Sequence, residues 1–97
     1  MKVQDWIFSI RYPDHRDGAR TLRRWAVIGP ARASTVETAL HLAALPEAVR
    51  AEIRTSTIVR DFVNGQLDPD KTGYYTDLNG TASWCICIGS VQEVLSR

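Results

Sequence analysis

The sequence predicts an α+β fold in which a four-stranded, mostly antiparallel sheet carries two or three helices on one face, in the order ββααββα. Two β-prone segments lie near each end of the chain, as the strands of a hairpin do, and the segment between these hairpins has helical periodicity. Each of the two hairpins presents a strongly apolar face that must be covered. The helices between the hairpins are the available cover, which predicts their position on one side of the sheet.

The length and composition predict a single compact domain spanning residues 1–97. A chain of 97 residues has room for one hydrophobic core, and 44% hydrophobic with 24% charged residues is typical of globular proteins. No stretch approaches the roughly 20 apolar residues of a membrane span, and the first apolar run is too short for a signal peptide. We therefore expect a cytoplasmic protein that makes no membrane contact.

The first hairpin is predicted from residues 3–12 and 21–29. The core face of its first strand is expected to carry Trp6, Phe8, Ile10 and Tyr12. Pro13 should end this strand, and Asp17-Gly18 is a turn dipeptide in the connection. The second strand is apolar on both faces beyond Trp25, which predicts a central or covered position in the sheet.

Two helices are predicted between the hairpins. Ser34 and Glu37 have the spacing of a capping box, which starts a helix expected to run to about Ala44. Pro46 suits the first turn of a second helix, which we expect to reach Asn64-Gly65 as a left-handed cap. Residues 55–59 are rich in β-branched side chains, so a strand is the alternative there.

The second hairpin is predicted around Asn79-Gly80, a dipeptide that favours a two-residue type I′ turn. This register pairs Tyr75 with Trp84 and divides the side chains between two faces. The expected core face carries Tyr75, Trp84, Ile86 and Ile88. The partly wet face carries Tyr74, Thr76, Ser83, Cys85 and Cys87. A second capping pattern, from Ser90 to Glu93, predicts a short final helix over residues 91–96.

The cysteines and histidines do not predict a metal site. Cys85 and Cys87 lie two apart on one strand, a spacing that disfavours a strain-free disulfide, so reduced thiols are expected. His15 and His41 are the only imidazoles, and no pattern brings both to the cysteines, whereas structural zinc needs four converging ligands. We expect no metal and no cofactor.

Catalytic motifs are also missing from the sequence. It contains no nucleophile elbow, no phosphate-binding glycine-rich loop and no zinc-protease helix motif, so we expect that the protein is not an enzyme. A small enzyme that assembles His15, Tyr74, Tyr75 or Asp77 from separate positions is the third interpretation, after two binding functions.

Charge is distributed unevenly along the chain. Residues 1–33 contain seven basic and three acidic residues, a net charge of +4, whereas residues 34–97 contain five basic and eight acidic residues, a net charge of −3. The candidate partner-binding residues are Tyr12, His15, Arg16, Arg20, Arg23 and Arg24. Arginine and aromatic side chains are the residue types that anchor protein interfaces, so the principal hypothesis is a protein partner with an acidic patch.

Two other interpretations of this cluster stay open. The same residues can grip phosphates and stack on bases, which makes a nucleic-acid-binding module the alternative function. The sequence pI of about 7.8 lacks the strong basic excess that sequence-independent nucleic-acid binding uses. A solvated strand end without a binding role is the remaining interpretation.

In size, plan and lack of catalytic motifs, the chain resembles the loosely defined class of small bacterial and phage inhibitors, which includes toxin-immunity and anti-CRISPR proteins. The resemblance concerns the general format and no specific motif, so it assigns no residue. It implies a compact domain that acts by covering the surface of another protein, for which segregated charge speeds and orients docking.

Overall fold

The computed structural model describes residues 5–14, 21–71, 73–76 and 84–91; for residues 14, 21 and 22 only the backbone is described. Its elements are β1 (Asp5–Asp14), β2 (Thr21–Pro30), α1 (Ala33–Ala43), α2 (Glu47–Thr55), α3 (Thr57–Val63), β3 (Tyr74–Tyr75) and β4 (Cys85–Ser90). The strands form one sheet in the order β2-β1-β4-β3, and all neighbours are antiparallel. The predicted α+β class and four-stranded sheet are confirmed. The final helix was predicted over residues 91–96. Of these residues only Val91 is described, and it is helical.

One face of the sheet and the three helices share a hydrophobic core. Alternation along β1 buries Trp6, Phe8 and Ile10, as predicted, because successive strand residues point to opposite faces. The Phe62 ring of α3 packs 5.4 Å from the Phe8 ring and edge-on to Trp6 at 6.0 Å. The other buried hydrophobic residues are Val36, Ala39, Leu40, Ala43, Leu45, Ile53, Val59, Ile86 and Ile88.

The prediction that β2 is a central or covered strand is wrong. Among the residues that the structure describes, it is an edge strand whose only neighbour in the sheet is β1. Trp25 and Val27 pack against the core, but Ala26 and Ile28 point to the opposite side and are exposed, Ile28 to 66%. The helices of the described part of the chain cover only one face, so an apolar residue on the other side of β2 meets no second layer.

Pro13 does not end β1, contrary to the prediction. The strand continues to Asp14, and Pro13 pairs with Leu22 of β2. The described pairing of β1 with β4 ends at Arg11 opposite Cys85, so within the described residues β1 has a single neighbouring strand at Pro13. Proline is tolerated where a strand has a free edge, because its missing amide donor is not needed there.

The capping box predicted at Ser34 is wrong as well. Helix α1 begins at Ala33 after Arg32, with no side-chain hydrogen bond at the cap. Glu37 cannot serve as the capping partner because its carboxylate binds Arg54 of α2. The link between β2 and α1 comes instead from Thr35, whose hydroxyl donates to the Pro30 carbonyl oxygen at 2.6 Å. The predicted end near Ala44 is confirmed, with Ala44 in the left-handed conformation.

The second predicted helix is two helices, separated at Ser56. This residue has extended backbone angles (φ −67°, ψ 148°), and its hydroxyl donates to the Ile53 carbonyl oxygen at 2.7 Å. Serine favours such breaks because its side chain can replace a backbone partner. Residues 57–63 are helical, as expected, so the strand alternative is excluded.

The predicted left-handed cap after α3 is confirmed at Gly65, where φ is +70°. The amide of Gln66 donates to the Asp61 carbonyl at 2.8 Å, and the amide of Gly65 donates to the Phe62 carbonyl at 3.1 Å. These two bonds form a Schellman motif, which satisfies the last carbonyls of the helix and turns the chain toward β3.

The register predicted for the second hairpin is wrong by three residues. Tyr75 pairs with Cys87 rather than Trp84, and Tyr74 pairs with Ile88. An odd shift exchanges the faces, so Tyr74 packs against the core and Tyr75 is exposed. Three more residues separate the paired positions than a two-residue turn allows. The predicted turn at Asn79-Gly80 lies outside the described residues.

Trp84 was predicted to lie inside the core. It is instead half-buried at the border of the core. Its indole N–H donates to the Glu52 carboxylate of α2 at 2.6 Å. A tryptophan with a surface carboxylate as its partner keeps its polar edge near water, which explains the incomplete burial.

Candidate binding surface

The side of the sheet that faces away from the helices is the candidate site, and we call it the open face. Its positions alternate with the core positions along each strand, so their side chains point away from the helical layer. The open face comprises Ile7, Ser9 and Arg11 of β1, Arg24, Ala26 and Ile28 of β2, Tyr75 of β3, and Cys85 and Cys87 of β4.

Two arginines lie directly opposite each other on the open face. Arg11 pairs with Arg24 across β1 and β2, and both side chains are exposed. The Arg24 guanidinium donates to the Ser9 hydroxyl at 3.1 Å, so it lies over β1, and Ser9 is only 2% exposed although none of the helices α1 to α3 covers it. Like charges opposite each other are unfavourable for the sheet. This pair therefore makes a local positive site on the open face.

Each ion pair that joins two described residues lies in the helical layer, and none involves these arginines. Arg54 binds Glu37 through two hydrogen bonds of 2.8 and 2.9 Å, and Glu47 contacts both Arg54 and Arg50. The hydrogen bond from Arg54 is the main reason why the pKa of Glu37 is lowered from its ordinary value. The helical layer thus neutralises its own charge, whereas Arg11 and Arg24 have no carboxylate partner in the described part of the chain.

A shallow concavity of about 250 Å³ lies beside the arginine pair. It is lined by Arg11, Arg24, Tyr75, Cys85 and Cys87. Tyr75 is 68% exposed and stands at the margin of the sheet. The Cys85 thiol donates to the Thr76 carbonyl at 2.9 Å. The two guanidinium groups supply positive charge, the Tyr75 ring supplies aromatic surface, and the small cysteine side chains leave space between them. This combination suits a carboxylate side chain presented by another molecule.

The helices border a second, larger groove of about 510 Å³. Its charged lining residues are Glu37, Arg54 and Arg60, and Val36, Val59 and Val63 supply apolar surface. Val36 and Val59 are themselves almost fully buried, so little of that apolar surface is accessible. Arg54 already binds Glu37, so its positive charge is neutralised within the groove. An acidic partner would therefore be attracted less strongly to this groove than to the open face.

The structure divides the residues that the sequence predicted as a binding cluster. Tyr12 is half-buried against the core on the helical side, and Arg23 lies on that side with its guanidinium 5.6 Å from the Trp25 ring centre. Arg24 lies on the open face. His15, Arg16 and Arg20 are outside the described residues. The described members therefore do not form one surface, and the neighbour of Arg24 is Arg11.

Sequence reasoning did not select Arg11 or Tyr75 for the site. A signal for Arg11 was present, because a two-residue turn at Asp17-Gly18 implies the pairing of Arg11 with Arg24 that the structure has. Tyr75 carried no such signal, since the register predicted for its hairpin turned it toward the core.

Neither a metal cluster nor a membrane helix is found in the described ranges. Among residues 5–14, 21–71, 73–76 and 84–91, no three histidine, cysteine or acidic side chains are grouped to hold a metal ion. Cys85 and Cys87 are not joined in a disulfide. No helix in these ranges is long and apolar enough to cross a membrane.

Comparisons with known proteins do not identify a family. No protein-family model matches the chain, and neither a curated protein nor a solved structure shows significant similarity to it. The open face itself is therefore the basis for a functional proposal.

Proposed function

We propose that this protein is a small binding module of the inhibitor type, which docks its open face onto an acidic patch of a partner protein and blocks that patch by covering it. The observation that carries the proposal is the Arg11–Arg24 pair, two adjacent exposed cations without a carboxylate partner in the described residues. An acidic group on a partner would relieve the repulsion between them and gain charge-assisted hydrogen bonds.

The composition of the open face supports a protein rather than a small molecule as the occupant. Tyr75 and Ile28 are 68% and 66% exposed, and arginine with tyrosine is the combination enriched at interface hot spots. The concavity of about 250 Å³ is smaller than the roughly 300–1,000 Å³ of small-molecule pockets. A sheet face with a shallow recess suits a protruding acidic side chain on a broad surface.

Nucleic acid is the second candidate, and one observation favours it. An exposed aromatic ring and two arginines on the open face of a four-stranded antiparallel sheet form a platform on which single-stranded bases can stack. The net charge of +1 argues for the protein partner, because binding to phosphates in general depends on a larger basic excess.

The test begins with affinity capture from the native host at low salt, with and without nuclease treatment. Association of the captured partner is then measured for the parent chain, Arg24→Glu and Arg23→Glu. These neighbouring positions receive the same charge change on opposite sides of the sheet, so Arg23→Glu is the matched control. We expect Arg24→Glu to slow association about tenfold and to flatten its salt dependence without lowering Tm, because exposed charges contribute little to folding.

The outcomes separate the interpretations. Equal losses in Arg23→Glu and Arg24→Glu would assign binding to the strand end rather than to the open face. An unaltered affinity in Arg24→Glu and in Arg11→Glu at low ionic strength would refute the proposal. Capture that disappears with nuclease, together with a steep salt slope for any DNA or RNA, would establish the nucleic-acid alternative.

A further inference from the structure

The two edges of the sheet differ in length and in protection. The β3 edge is formed by a two-residue strand, whereas β2 presents a ten-residue edge. Proteins protect long edges with lysines, prolines, bulges or covering segments, since an unpaired edge templates pairing with another chain. In β2 the only proline is Pro30, at its last position, and the stretch from Trp25 to Gly29 is uncharged.

The direction in which the N–H and C=O groups of β2 point follows from one hydrogen bond at the other edge of the sheet. The amide of Thr76 donates to the Ile86 carbonyl at 3.0 Å, so Ile86 directs its backbone groups toward β3. Backbone direction alternates along an antiparallel strand, so Cys87 directs its groups toward β1. Its partner Ser9 therefore points to β4, and the next residue, Phe8, points to β2.

The same alternation continues into β2. Val27, the partner of Phe8, bonds to β1, so the backbone groups of Arg24, Ala26 and Ile28 point outward, away from the sheet. Among the described residues, the hydrogen bonds made beyond β1 by this strand are at its end, where the Pro30 carbonyl accepts from the Arg32 amide and the Thr35 hydroxyl. The outward amides and carbonyls of Arg24, Ala26 and Ile28 have no partner in the described part of the chain.

We propose that a second copy of this chain pairs antiparallel with β2 along this edge, around a two-fold axis at Ala26. In this register Ala26 pairs with its own copy, and Arg24 pairs with Ile28 of the second copy. All three outward-pointing residues of each strand then bond, in about six hydrogen bonds. The two four-stranded sheets join into one eight-stranded sheet, and the contact is isologous, as a two-fold dimer requires.

The side chains of β2 argue against two other registers. A shift by one residue would place the core side of one copy against the open face of the other. A two-fold axis at Arg24 would set Arg24 against its own copy, and like charges in such pairs are unfavourable. With the axis at Ala26, the two Arg24 positions are about 13 Å apart along the strands, beyond the roughly 10 Å over which salt screens charges.

The proposed pairing also buries apolar surface at the margin of the core. Trp25 and Val27 lie on the helical side at the margin of the core and are only half-buried. In the proposed register Trp25 faces Val27 of the second copy, so both residues of both chains lose exposed apolar surface. The dimer thus extends the core across the new strand pair, and the free-energy gain comes from this burial together with the edge hydrogen bonds.

Two measurements on the full chain test the dimer. Sedimentation equilibrium between about 1 µM and 1 mM should show a concentration-dependent dimer. Amide hydrogen exchange should show a period of two, in which the amides of Trp25 and Val27 are protected at every concentration. The amides of Arg24, Ala26 and Ile28 should become protected only as the dimer forms.

Two variants and a control refine the test. Ala26→Pro removes an outward amide at the axis without changing the bonds to β1, and should weaken the dimer by at least about a hundredfold. Ile28→Lys sets a lysine opposite Arg24 of the second copy and should weaken it about tenfold. Leu42→Lys is the control, because Leu42 is an exposed apolar residue of α1, 53% exposed, and its substitution should leave the dimer unchanged.

Each outcome decides the proposal. A chain that stays monomeric up to about 1 mM overturns it. Protected amides at Arg24, Ala26 and Ile28 in a monomer also overturn it, because the edge is then covered by other residues of the same chain. A dimer of parent strength in Ile28→Lys shows that the copies meet elsewhere, and this variant decides the matter if Ala26→Pro fails to fold.

Discussion

The two sides of the sheet use the same strands but differ in what their side chains contact. On the helical side, Phe8, Ile10, Ile86 and Ile88 are fully buried, and the charges of the covering helices neutralise one another. On the open face, Arg11 and Arg24 are exposed and have no acidic partner in the described residues. Folding stability therefore depends mainly on one side, and the other side is available for binding.

The largest expected effect tests this division directly. Phe8→Ala should destabilise the fold by about 3–5 kcal/mol, because Phe8 is fully buried and its ring packs against Phe62. Tyr75→Ala on the open face should change the free energy of unfolding by less than about 0.5 kcal/mol. Urea denaturation of both variants measures the difference. Similar losses in the two variants would show that the open face also supports the fold.

An intermediate effect is expected from one strand glycine, Gly29. A methyl group on Gly29 would lie 2.7 Å from the Thr35 hydroxyl oxygen and 3.3 Å from its methyl carbon, where α1 approaches β2 closely. Gly29→Ala should therefore cost about 1–3 kcal/mol, the range for overpacking in a tight contact. Thermal melts monitored by circular dichroism measure it.

Gly89→Ala is the matched control for this variant. Gly89 of β4 pairs with Ile7 of β1, and a methyl group added to Gly89 would have no atom within 4 Å. Alanine also restricts the unfolded chain more than glycine does, so stability should stay equal or rise slightly. A loss in Gly89→Ala as large as that in Gly29→Ala would contradict the assignment of Gly29 to a close helix contact.

The smallest expected effect concerns the ion pair of the helical layer. The folded-state pKa of Glu37 is lowered, first by its hydrogen bond from Arg54, so this carboxylate stabilises the fold above its unfolded pKa of about 4.3. The contribution is lost as the pH falls through the lowered value. Glu37→Gln should reduce Tm by roughly 2–4 °C at neutral pH, since exposed pairs are weak, and the difference should vanish in acid.

The control for the ion pair is a reversal on the open face. Arg24→Glu should leave Tm equal or slightly raised at neutral pH, because Arg24 forms no ion pair with the described residues and the reversal removes its repulsion with Arg11. Melts of the parent and both variants from neutral pH to about pH 3 provide the comparison. A Tm difference for Glu37→Gln that persists in acid would show that its cause is packing and not charge.

Sequence by itself determined several local features, because their signals lie within a few residues. Alternation in β1 identified the buried face of Trp6, Phe8 and Ile10, and the Asp17-Gly18 dipeptide carried a signal for the register of β1 with β2 that the prediction did not use. The left-handed cap at Gly65 followed from the Asn64-Gly65 dipeptide. Both a turn and a helix cap depend on backbone conformations that few residues adopt easily, so one or two residues suffice to predict them.

Only the tertiary structure decided which faces are covered and which distant residues meet. Glu37 has the spacing of a capping residue, but it binds Arg54, 17 positions away, and no local pattern records that competition. The apolar pattern of β2 does not reveal that a single helical layer leaves Ile28 exposed. The observed register of β3 with β4 differs by three residues from the predicted one and places Tyr75 on the open face. The pairing of β1 with β2 places Arg11 beside Arg24. Strand order, the number of layers and long-range register depend on contacts between separate elements, so periodicity within one element cannot specify them.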